Sequence, residues 1–164
     1  SDRRVDKKQI TEKKAEEIGK KYLEKLGITN MESTYYYTQD NMMTINYAYT
    51  YNDILVYPDL IKVKVALDTG EVCSLEAAGY IYNHKERVLD GMYNLENEAR
   101  EVISQDLKID KVRKAIIPTD AKEEVFVYEY KCTFEEKDYL MVKRKKREKI
   151  CAIRSRFSCR KFDL

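Results

Sequence analysis

Two stretches with a strict two-residue alternation limit the folds open to this chain more than any other feature. In MMTINYAYTY (42–51), every second residue is large: Met43, Ile45, Tyr47, Tyr49 and Tyr51. In DLIKVKVAL (59–67), apolar residues at 61, 63, 65 and 67 alternate with Lys62 and Lys64. Because successive side chains of a β-strand point to opposite faces, both stretches predict half-buried antiparallel strands. The chain is therefore expected to contain a sheet with one covered face.

A helical pattern precedes each group of predicted strands. Residues 12–26 place Ala15, Ile18 and Tyr22 at helical spacing, with Thr11 as N-cap and Gly27 as the terminating residue. A second helix is predicted over NLENEAREVISQDL (94–107). Strand-like segments follow it as well: VRKAIIP (112–118), EEVFVYEYKCTF (123–134) and DYLMVK (138–143). In the middle one of these, Phe126, Tyr128, Tyr130 and Cys132 are predicted to share one face.

A third strand, EVCSLEAAGYIY (71–82), is predicted after DLIKVKVAL. The order helix, strand, strand, strand thus occurs twice, which indicates an internal duplication. VCSLEA (72–77) also matches ICAIRS (150–155) at an offset of 78 residues. We predict an α+β fold of two repeats, each with one helix packed on a curled antiparallel sheet. The expected divisions are a first repeat at 1–83, a linker at 84–93, a second repeat at 94–155, and a basic tail at 156–164 for which disorder is one expectation.

The net charge of +2 separates into an acidic body and a basic end. Residues 143–164 contain ten lysines and arginines and two acids, so the remainder of the chain is net acidic. The run KRKKREK (143–149) can be a solvated tail or can attract an anionic partner or cell-wall polymer. It has no interleaved aromatic residues and no nucleic-acid-binding signature, so the sequence predicts no nucleic-acid partner.

The tripeptide Asp68-Thr69-Gly70 has the letters of an aspartic peptidase motif. Such an enzyme needs two carboxylates that share a proton, and the sequence holds no second Asp-Thr/Ser-Gly. Because the tripeptide falls between two alternating strands, it is predicted to be a hairpin turn. In that turn Asp68 can bond the backbone two residues on, and Gly70 supplies a positive φ. We predict no catalytic residue.

Two groups of residues are candidates for interaction rather than catalysis. Seven of the fourteen tyrosines lie between residues 35 and 57. Tyr35, Tyr36 and Tyr37 are consecutive, so at least one must be exposed, and tyrosine is enriched at interfaces. The alternative is that they simply fill a sheet face, where tyrosine is favoured. The single histidine, His84, is expected to be solvated or to lie at an interface, with pH sensing as a further hypothesis.

The cysteines and histidine predict neither a metal site nor a bound cofactor. Cys73, Cys132, Cys151 and Cys159 form no Cys-x-x-Cys pair, and one histidine cannot complete a zinc site of known spacing. Four thiols in a chain of this length do not make a disulfide scaffold, so ordinary half-buried thiols are expected, with one structural disulfide as the alternative.

The helix opening ITEKKAEEIG (10–19) and the closing hairpin VALDTGEVCSLEA (65–77) resemble the PepSY domain. The second unit carries ENEAREVI and VFVYEYKCTF. Together with VYPDLIKVKVALDTGEV, GYIYNHKER and VRKAIIPT, these segments are similar more specifically to the C-terminal region of YpeB-like spore-germination proteins. The resemblance covers residues 9–142.

This resemblance implies a function as well as a fold. YpeB-like proteins are not known as enzymes; they accompany an SleB-like cortex-lytic peptidoglycan hydrolase. The resemblance implies a domain that binds this hydrolase and stabilises or restrains it in the spore, outside the inner membrane. Membrane attachment is expected only through an upstream segment, since the chain starts SDRRVDKK without a methionine and has no apolar run of membrane-spanning length. A module that binds peptidoglycan or peptide is the alternative function, and a peptidase is a more remote one.

The second unit departs from the family pattern at its closing hairpin. At the offset of 78 residues, Lys145 to Lys149 replace Leu67 to Glu71, and the turn has no glycine. Lys143 and Lys145 match inward-facing Val65 and Leu67, and burying two ammonium groups costs several kcal/mol each. The last strand is therefore expected to shift register, fray or face solvent. A divergent or frameshifted end is a further hypothesis for 143–164.

Overall fold

The computed structural model describes residues 5, 7–88, 108–119, 123–134, 137–144, 151–154 and 158–161. The chain divides into two compact units, Ser1–Lys85 and Glu86–Leu164. Their boundary lies within the predicted linker 84–93. Among the described residues, no helix is long and apolar enough to cross a membrane.

The first unit is a four-stranded antiparallel meander with two helices. Its elements are α1 (Glu12–Lys25), β1 (Met31–Gln39), β2 (Met42–Tyr51), β3 (Ile54–Ala66), β4 (Val72–Glu76) and α2 (Ala78–Asn83). Each strand pairs with the next along the chain. The predicted α+β class is confirmed. The strand predicted over 71–82 is wrong in its second half, because β4 ends at Glu76 and helix α2 follows it. The second helix predicted over 94–107 lies outside the described residues.

Helix α1 begins and ends where the sequence predicts, and it covers the sheet. Thr11 Oγ1 accepts a hydrogen bond from the Lys14 amide at 3.2 Å, and Gly27 follows the helix with φ of 77°. The helix buries Ala15 and Leu23 against a core that contains the predicted inward residues of both alternating strands. That core comprises Met43, Ile45, Tyr47, Ile61, Val63, Val65 and Leu67.

Strand β2 departs from the prediction at its C-terminal end and on the face predicted to be solvent-exposed. Tyr49 is half-buried and Tyr51 is exposed, so the inward row leaves the core at its end. Thr44 and Asn46 were expected to face solvent, yet both are buried. The Asn46 amide Nδ2 donates to the backbone oxygen of Tyr35 at 3.3 Å, which gives its buried N–H a partner. The centre of β2 is therefore covered on both faces.

Two tight turns without glycine join the first three strands. Asp40 and Asn41 have φ of 50° and 56°, and Asn52 and Asp53 have φ of 48° and 61°. Two consecutive left-handed residues define a type I′ turn, whose twist matches that of the strands it joins. Asn and Asp tolerate this conformation better than other non-glycine residues, so these dipeptides fix the register of both hairpins.

The turn at Asp68-Thr69-Gly70 has the predicted place and a modified bonding pattern. Gly70 has φ of 78°. Asp68 Oδ1 accepts from the amide of Thr69, the next residue, at 2.7 Å. The bond to the amide two residues on is made by Thr69, whose Oγ1 accepts from the Glu71 amide at 3.3 Å. The tripeptide closes the β3–β4 hairpin.

The described part of the second unit is a five-stranded antiparallel meander. Its strands are β5 (Lys108–Pro118), β6 (Glu124–Phe134), β7 (Lys137–Arg144), β8 (Cys151–Arg154) and β9 (Ser158–Lys161). The predicted shared face of β6 is buried at Phe126, Tyr128, Tyr130 and Cys132, and Val127 and Glu129 are buried between them. Strand β9 lies within the predicted basic tail.

Strands β7 and β8 follow one of the two registers of their counterparts in the first unit. There, Lys62 pairs with Glu76, and beyond a bulge Val65 pairs with Val72. At the offset of 78, the second of these pairs corresponds to positions 143 and 150. The structure pairs Val142 with Cys151, which is the same register. The pairing therefore differs by one residue only from the part of the first hairpin that includes Lys62 and Glu76, and the predicted register shift stays a prediction.

Two of the four cysteines lie among residues whose side chains are described. Cys73 and Cys132 are free thiols, and Cys132 is buried. Burial raises the pKa of the Cys132 thiol, and the nearby Asp110 raises it further. Cys73 is half-buried, as predicted, whereas Cys132 is fully buried rather than half-buried.

Candidate interaction site

Strand β1 carries three consecutive exposed tyrosines along one end of the sheet. Tyr35, Tyr36 and Tyr37 are 51%, 47% and 43% exposed. Within the described sheet β1 is an end strand and pairs with β2. The sequence required only one of the three side chains to be exposed. We call this surface, residues 35–37, the tyrosine edge.

The tyrosine edge presents aromatic rings on both faces of the sheet. A β-bulge at Thr34 shifts the register between Ser33 and Tyr35. Beyond it, Tyr36 pairs with Ile45, a core residue on the face that α1 covers. Tyr35 and Tyr37 lie on the opposite face, because adjacent residues of a strand point to opposite sides.

Charged residues lie beside Tyr35 and Tyr37. Lys62 Nζ donates to Glu76 Oε1 at 2.9 Å, and this hydrogen bond is the main cause that raises the pKa of Lys62. Partial burial opposes the shift, while Glu76 and the two tyrosines add to it electrostatically. The face therefore combines aromatic rings with an ion pair, and Lys64 lies exposed on the same strand as Lys62.

His84 lies in a second cluster of the same unit, at the end of α2. Its Nδ1 is 2.7 Å from Oδ2 of Asp59, a carboxylate with no exposed surface. The imidazole stacks on the ring of Tyr80, with centroids 4.4 Å apart and planes 16° apart. The ring of Tyr49 meets it edge-on at 4.7 Å. With 35% of its side chain exposed, His84 is a packed residue rather than a freely solvated one.

A three-residue bulge in β3 builds this cluster. Ala48 pairs with Leu60, whereas the next residue of β2, Tyr49, pairs with Val56. Tyr57, Pro58 and Asp59 are therefore the extra residues. The side-chain amide of Asn83 donates to the Pro58 backbone oxygen at 2.9 Å. The bulge thus turns the Asp59 carboxylate and the Pro58 carbonyl towards the end of α2.

Helix α2 can sit this close to β3 because residue 79 is glycine. A Cβ at Gly79 would lie 2.9 Å from the Leu60 oxygen and 3.2 Å from the Pro58 oxygen. Burial raises the pKa of Tyr80, and Tyr49 and Asp59 raise it further. Sequence reasoning missed Asp59, Tyr80 and Gly79; Pro58 inside a strand pattern was the available signal, because proline in a strand marks an edge or a bulge.

Replacing His84 with alanine should loosen α2 without unfolding the unit. The change removes the imidazole from the buried Asp59 carboxylate and from the two tyrosine rings. We expect the opening free energy of α2 to fall by about 1–2 kcal/mol. Faster hydrogen exchange at the Ile81 amide, which donates to the Ala77 oxygen, would report the change. Tyr82→Ala, at an 85% exposed position of the same helix, is the matched control, and equal effects of the two substitutions would contradict the prediction.

The remaining sequence candidates occupy structural positions. Asp68, Thr69 and Gly70 form the β3–β4 turn described above. Among the described residues, no group of three or more His, Cys, Asp or Glu side chains is placed to hold a metal ion. The tyrosine edge and the His84 cluster are thus the two arrangements that the structure adds to the sequence interpretation.

Comparison with known proteins gives one consistent result. The family model described as YpeB sporulation, PepSY1 and PepSY2 domains matches residues 1–90. The sporulation protein YpeB of Halalkalibacterium halodurans is 32% identical over 129 residues, which are 79% of this chain and 29% of that protein. YpeB of Oceanobacillus iheyensis is 30% identical over 137 residues, 84% of this chain and 31% of that protein.

A solved structure matches the fold over most of the chain. The C-terminal domain of Bacillus megaterium YpeB superposes with a TM-score of 0.84 and 23% sequence identity. The match covers 94% of this chain and 70% of that one. The chain spans less than a third of the length of the curated relatives described above.

Proposed function

Because the chain belongs to the YpeB sporulation family, and so has a sporulation-related role, we propose that it is a non-enzymatic binding domain. Its partner is a cortex-lytic peptidoglycan hydrolase of the SleB type, which it stabilises or restrains during spore dormancy. The domain acts outside the spore inner membrane, and an upstream segment attaches the protein there.

The tyrosine edge is the observation that supports a protein partner. Three adjacent large aromatic side chains are each more than 40% exposed, on a strand with pairing capacity at the end of a sheet. Tyrosine contributes a large apolar area and a polar hydroxyl, and it is among the residues that dominate interface energies. Burial of these three side chains against a partner therefore contributes favourably to the free energy of binding.

The non-enzymatic part of the proposal is supported by how the titratable candidates are used. Asp68 bonds the backbone of its own turn. His84 and Asp59 bond each other, and tyrosine rings flank the imidazole. These contacts position a turn and a helix, so each candidate group has a structural use.

The proposal is tested by binding and lytic assays with the cortex-lytic hydrolase of the same organism. The wild-type chain should bind the hydrolase and change its lytic activity on cortex. Replacing both Tyr35 and Tyr37 with serine should weaken binding about tenfold or more, because each removes an interface aromatic side chain. Replacing Tyr51 and Tyr82, which are also exposed, with serine is the matched control and should leave affinity within about twofold. Absence of both binding and any change in lysis would refute the proposal.

Peptidoglycan itself is the second candidate partner. Tyr35 and Tyr37 lie beside Lys62, so aromatic rings and a cation face the same way, a combination that suits glycans bearing carboxylates. Sedimentation of the chain with purified cortex, without the hydrolase and with loss of sedimentation in the Tyr35/Tyr37 double variant, would favour this alternative.

A further inference from the structure

The geometry of the β1–β2 hairpin determines which backbone groups of β1 face outward. The two-residue turn Asp40-Asn41 makes Gln39 and Met42 the closing pair, which in this turn type exchanges hydrogen bonds. Bonded and non-bonded pairs alternate along an antiparallel ladder. Gln39 and Tyr37 therefore direct their backbone groups towards β2, whereas Thr38 and Tyr36 direct theirs to the other side.

The contacts of Asn46 agree with this assignment. Its side-chain amide donates to the backbone oxygen of Tyr35, so this carbonyl faces β2. This direction is expected, because adjacent residues alternate and the backbone groups of Tyr36 point away from β2. In the described sheet order, β1 pairs with β2 alone. The amide and carbonyl groups of Tyr36 and Thr38 consequently lie along a side of β1 to which no described strand is paired.

From Tyr35 to Gln39, this side of β1 lacks the features that usually protect an end strand. Natural sheets block such strands with lysines, prolines, bulges or inward-pointing charges. Residues 33–39, Ser-Thr-Tyr-Tyr-Tyr-Thr-Gln, contain no charged residue, no proline and no glycine. The bulge at Thr34 lies at the start of this stretch, and residues 35–39 beyond it keep regular pairing with β2. The outward backbone groups of Tyr36 and Thr38 can therefore form hydrogen bonds with another strand.

We propose that β1 receives an extended segment of the partner hydrolase, uncharged at its centre, as an additional strand hydrogen-bonded to the backbone of Tyr36 and Thr38. This inference rests on the proposed function and specifies its binding mode. Backbone hydrogen bonds supply affinity in such strand addition, and alternate side chains supply specificity. Tyr35 and Tyr37 on one face and Tyr36 on the other pack against aromatic or β-branched residues of the added segment.

The charges beside β1 favour this occupant over a second copy of the chain. Two copies of β1 paired antiparallel about Tyr36 would place Glu32 of each opposite Asp40 of the other. Like charges directly opposite one another are destabilising. A hydrolase segment with an uncharged centre, and with basic residues where it passes Glu32 and Asp40, matches the same edge without that repulsion.

Substitutions at Thr38 test the proposal with little change to side-chain chemistry. Thr38→Pro removes an outward N–H and leaves the bonds to β2 in place, a substitution that end strands tolerate. It should weaken hydrolase binding about tenfold to a hundredfold, because a buried carbonyl of the partner loses its donor. The matched control Thr38→Ala keeps the N–H and should bind within about twofold of wild type.

Hydrogen exchange of the wild-type chain provides a readout independent of any variant. In the complex, the Tyr36 and Thr38 amides should exchange at least about tenfold more slowly than in the free chain. The Tyr35 and Tyr37 amides, already directed at β2, should change less. If Thr38→Pro does not fold, as judged by circular dichroism, strand addition is tested by the wild-type chain alone. The test is whether the Tyr36 and Thr38 amides gain more protection than the Tyr35 and Tyr37 amides.

The possible results separate the two proposals. A wild-type chain that does not bind the hydrolase refutes the proposed function and this inference together. Normal binding by Thr38→Pro, with unchanged exchange at Tyr36 and Thr38, overturns strand addition and leaves the proposed function standing. Protection of the same two amides through self-association, without the hydrolase, overturns the assigned occupant.

Discussion

Replacing Gly19 with alanine is expected to lower the free energy of unfolding of the first unit by about 1–3 kcal/mol. In an ordinary helix interior the same substitution raises stability by about 1 kcal/mol. Here Tyr47 crosses beneath α1, and its hydroxyl donates to the Glu16 backbone oxygen at 2.6 Å. A Cβ at residue 19 would overlap the Tyr47 hydroxyl and lie 3.1 Å from Cζ and 3.2 Å from Cε2 of the ring.

Gly19→Ala is destabilising because displacing the Tyr47 side chain costs free energy. Tyr47 is only 1% exposed, and burial raises the pKa of its phenol strongly, with the nearby Glu16 raising it further. A rigid ring held at both ends must break its hydrogen bond or displace the helix. Overpacking of this kind costs about 1–3 kcal/mol and loss of the hydrogen bond about 1 kcal/mol more, which together exceed the gain in helix propensity.

Native-state hydrogen exchange at the β2 and β3 amides measures this effect within the first unit. Lys20→Ala, at an exposed position of the same helix, is the control and should change stability by less than about 0.5 kcal/mol. Adding Tyr47→Phe to Gly19→Ala removes the overlapping oxygen, so the double variant should lose less than the sum of the single effects. An increase in stability for Gly19→Ala would show that the close approach of Tyr47 is unimportant.

Replacing Arg113 with methionine is expected to destabilise the second unit by about 3–5 kcal/mol. Arg113 on β5 and Glu129 on β6 are directly opposite each other in the ladder. Arg113 Nε donates to Glu129 Oε1 at 2.7 Å, and Nη2 donates to the same oxygen. The Glu129 side chain is 2% exposed. Methionine fills a similar volume and removes the positive charge from beside a buried carboxylate.

The matched variants separate charge from packing. Arg113→Met with Glu129→Leu removes both charges and should regain most of the lost stability, because an apolar pair of similar size avoids the desolvation cost. Lys131→Met, at an exposed position of β6, should change stability by less than about 0.5 kcal/mol. Hydrogen exchange at the β5 and β6 amides reports on this unit. Equal losses for Arg113→Met and the double variant would mean that packing, rather than the buried charge, dominates.

Much of the first unit could be predicted because its sequence patterns involve residues that are close together in the chain. Period-two alternation assigns Ile45, Tyr47 and Val63 to the core without reference to any distant residue. Thr11 and Gly27 bound α1 through contacts within one turn of the helix. The flanks of Asp68 identified a hairpin turn rather than a catalytic carboxylate, and the exposure of some part of the tyrosine triplet followed from strand geometry alone.

The His84 cluster could not be predicted, because its parts are brought together by a local break in the pairing. Asp59 and His84 are 25 positions apart, and they meet because three extra residues in β3 open the ladder beside Tyr49. The need for glycine at position 79 arises from two backbone oxygens of β3. None of these contacts has a periodic signal, although Pro58 indicated that the strand pattern was interrupted.

The sequence by itself determined helix α1, strands β2 and β3 and the inward-facing rows of these strands, because these depend on spacing between near neighbours. Its motifs also resembled those of the family. Only the tertiary structure decided that β1 ends the described sheet, that all three tyrosines are exposed, and that Asn46 is buried. It also decided that Gly19 and Tyr47 touch, and that Arg113 faces Glu129. These properties depend on which strands become neighbours and in what register, and a register is set by the whole ladder rather than by any one segment.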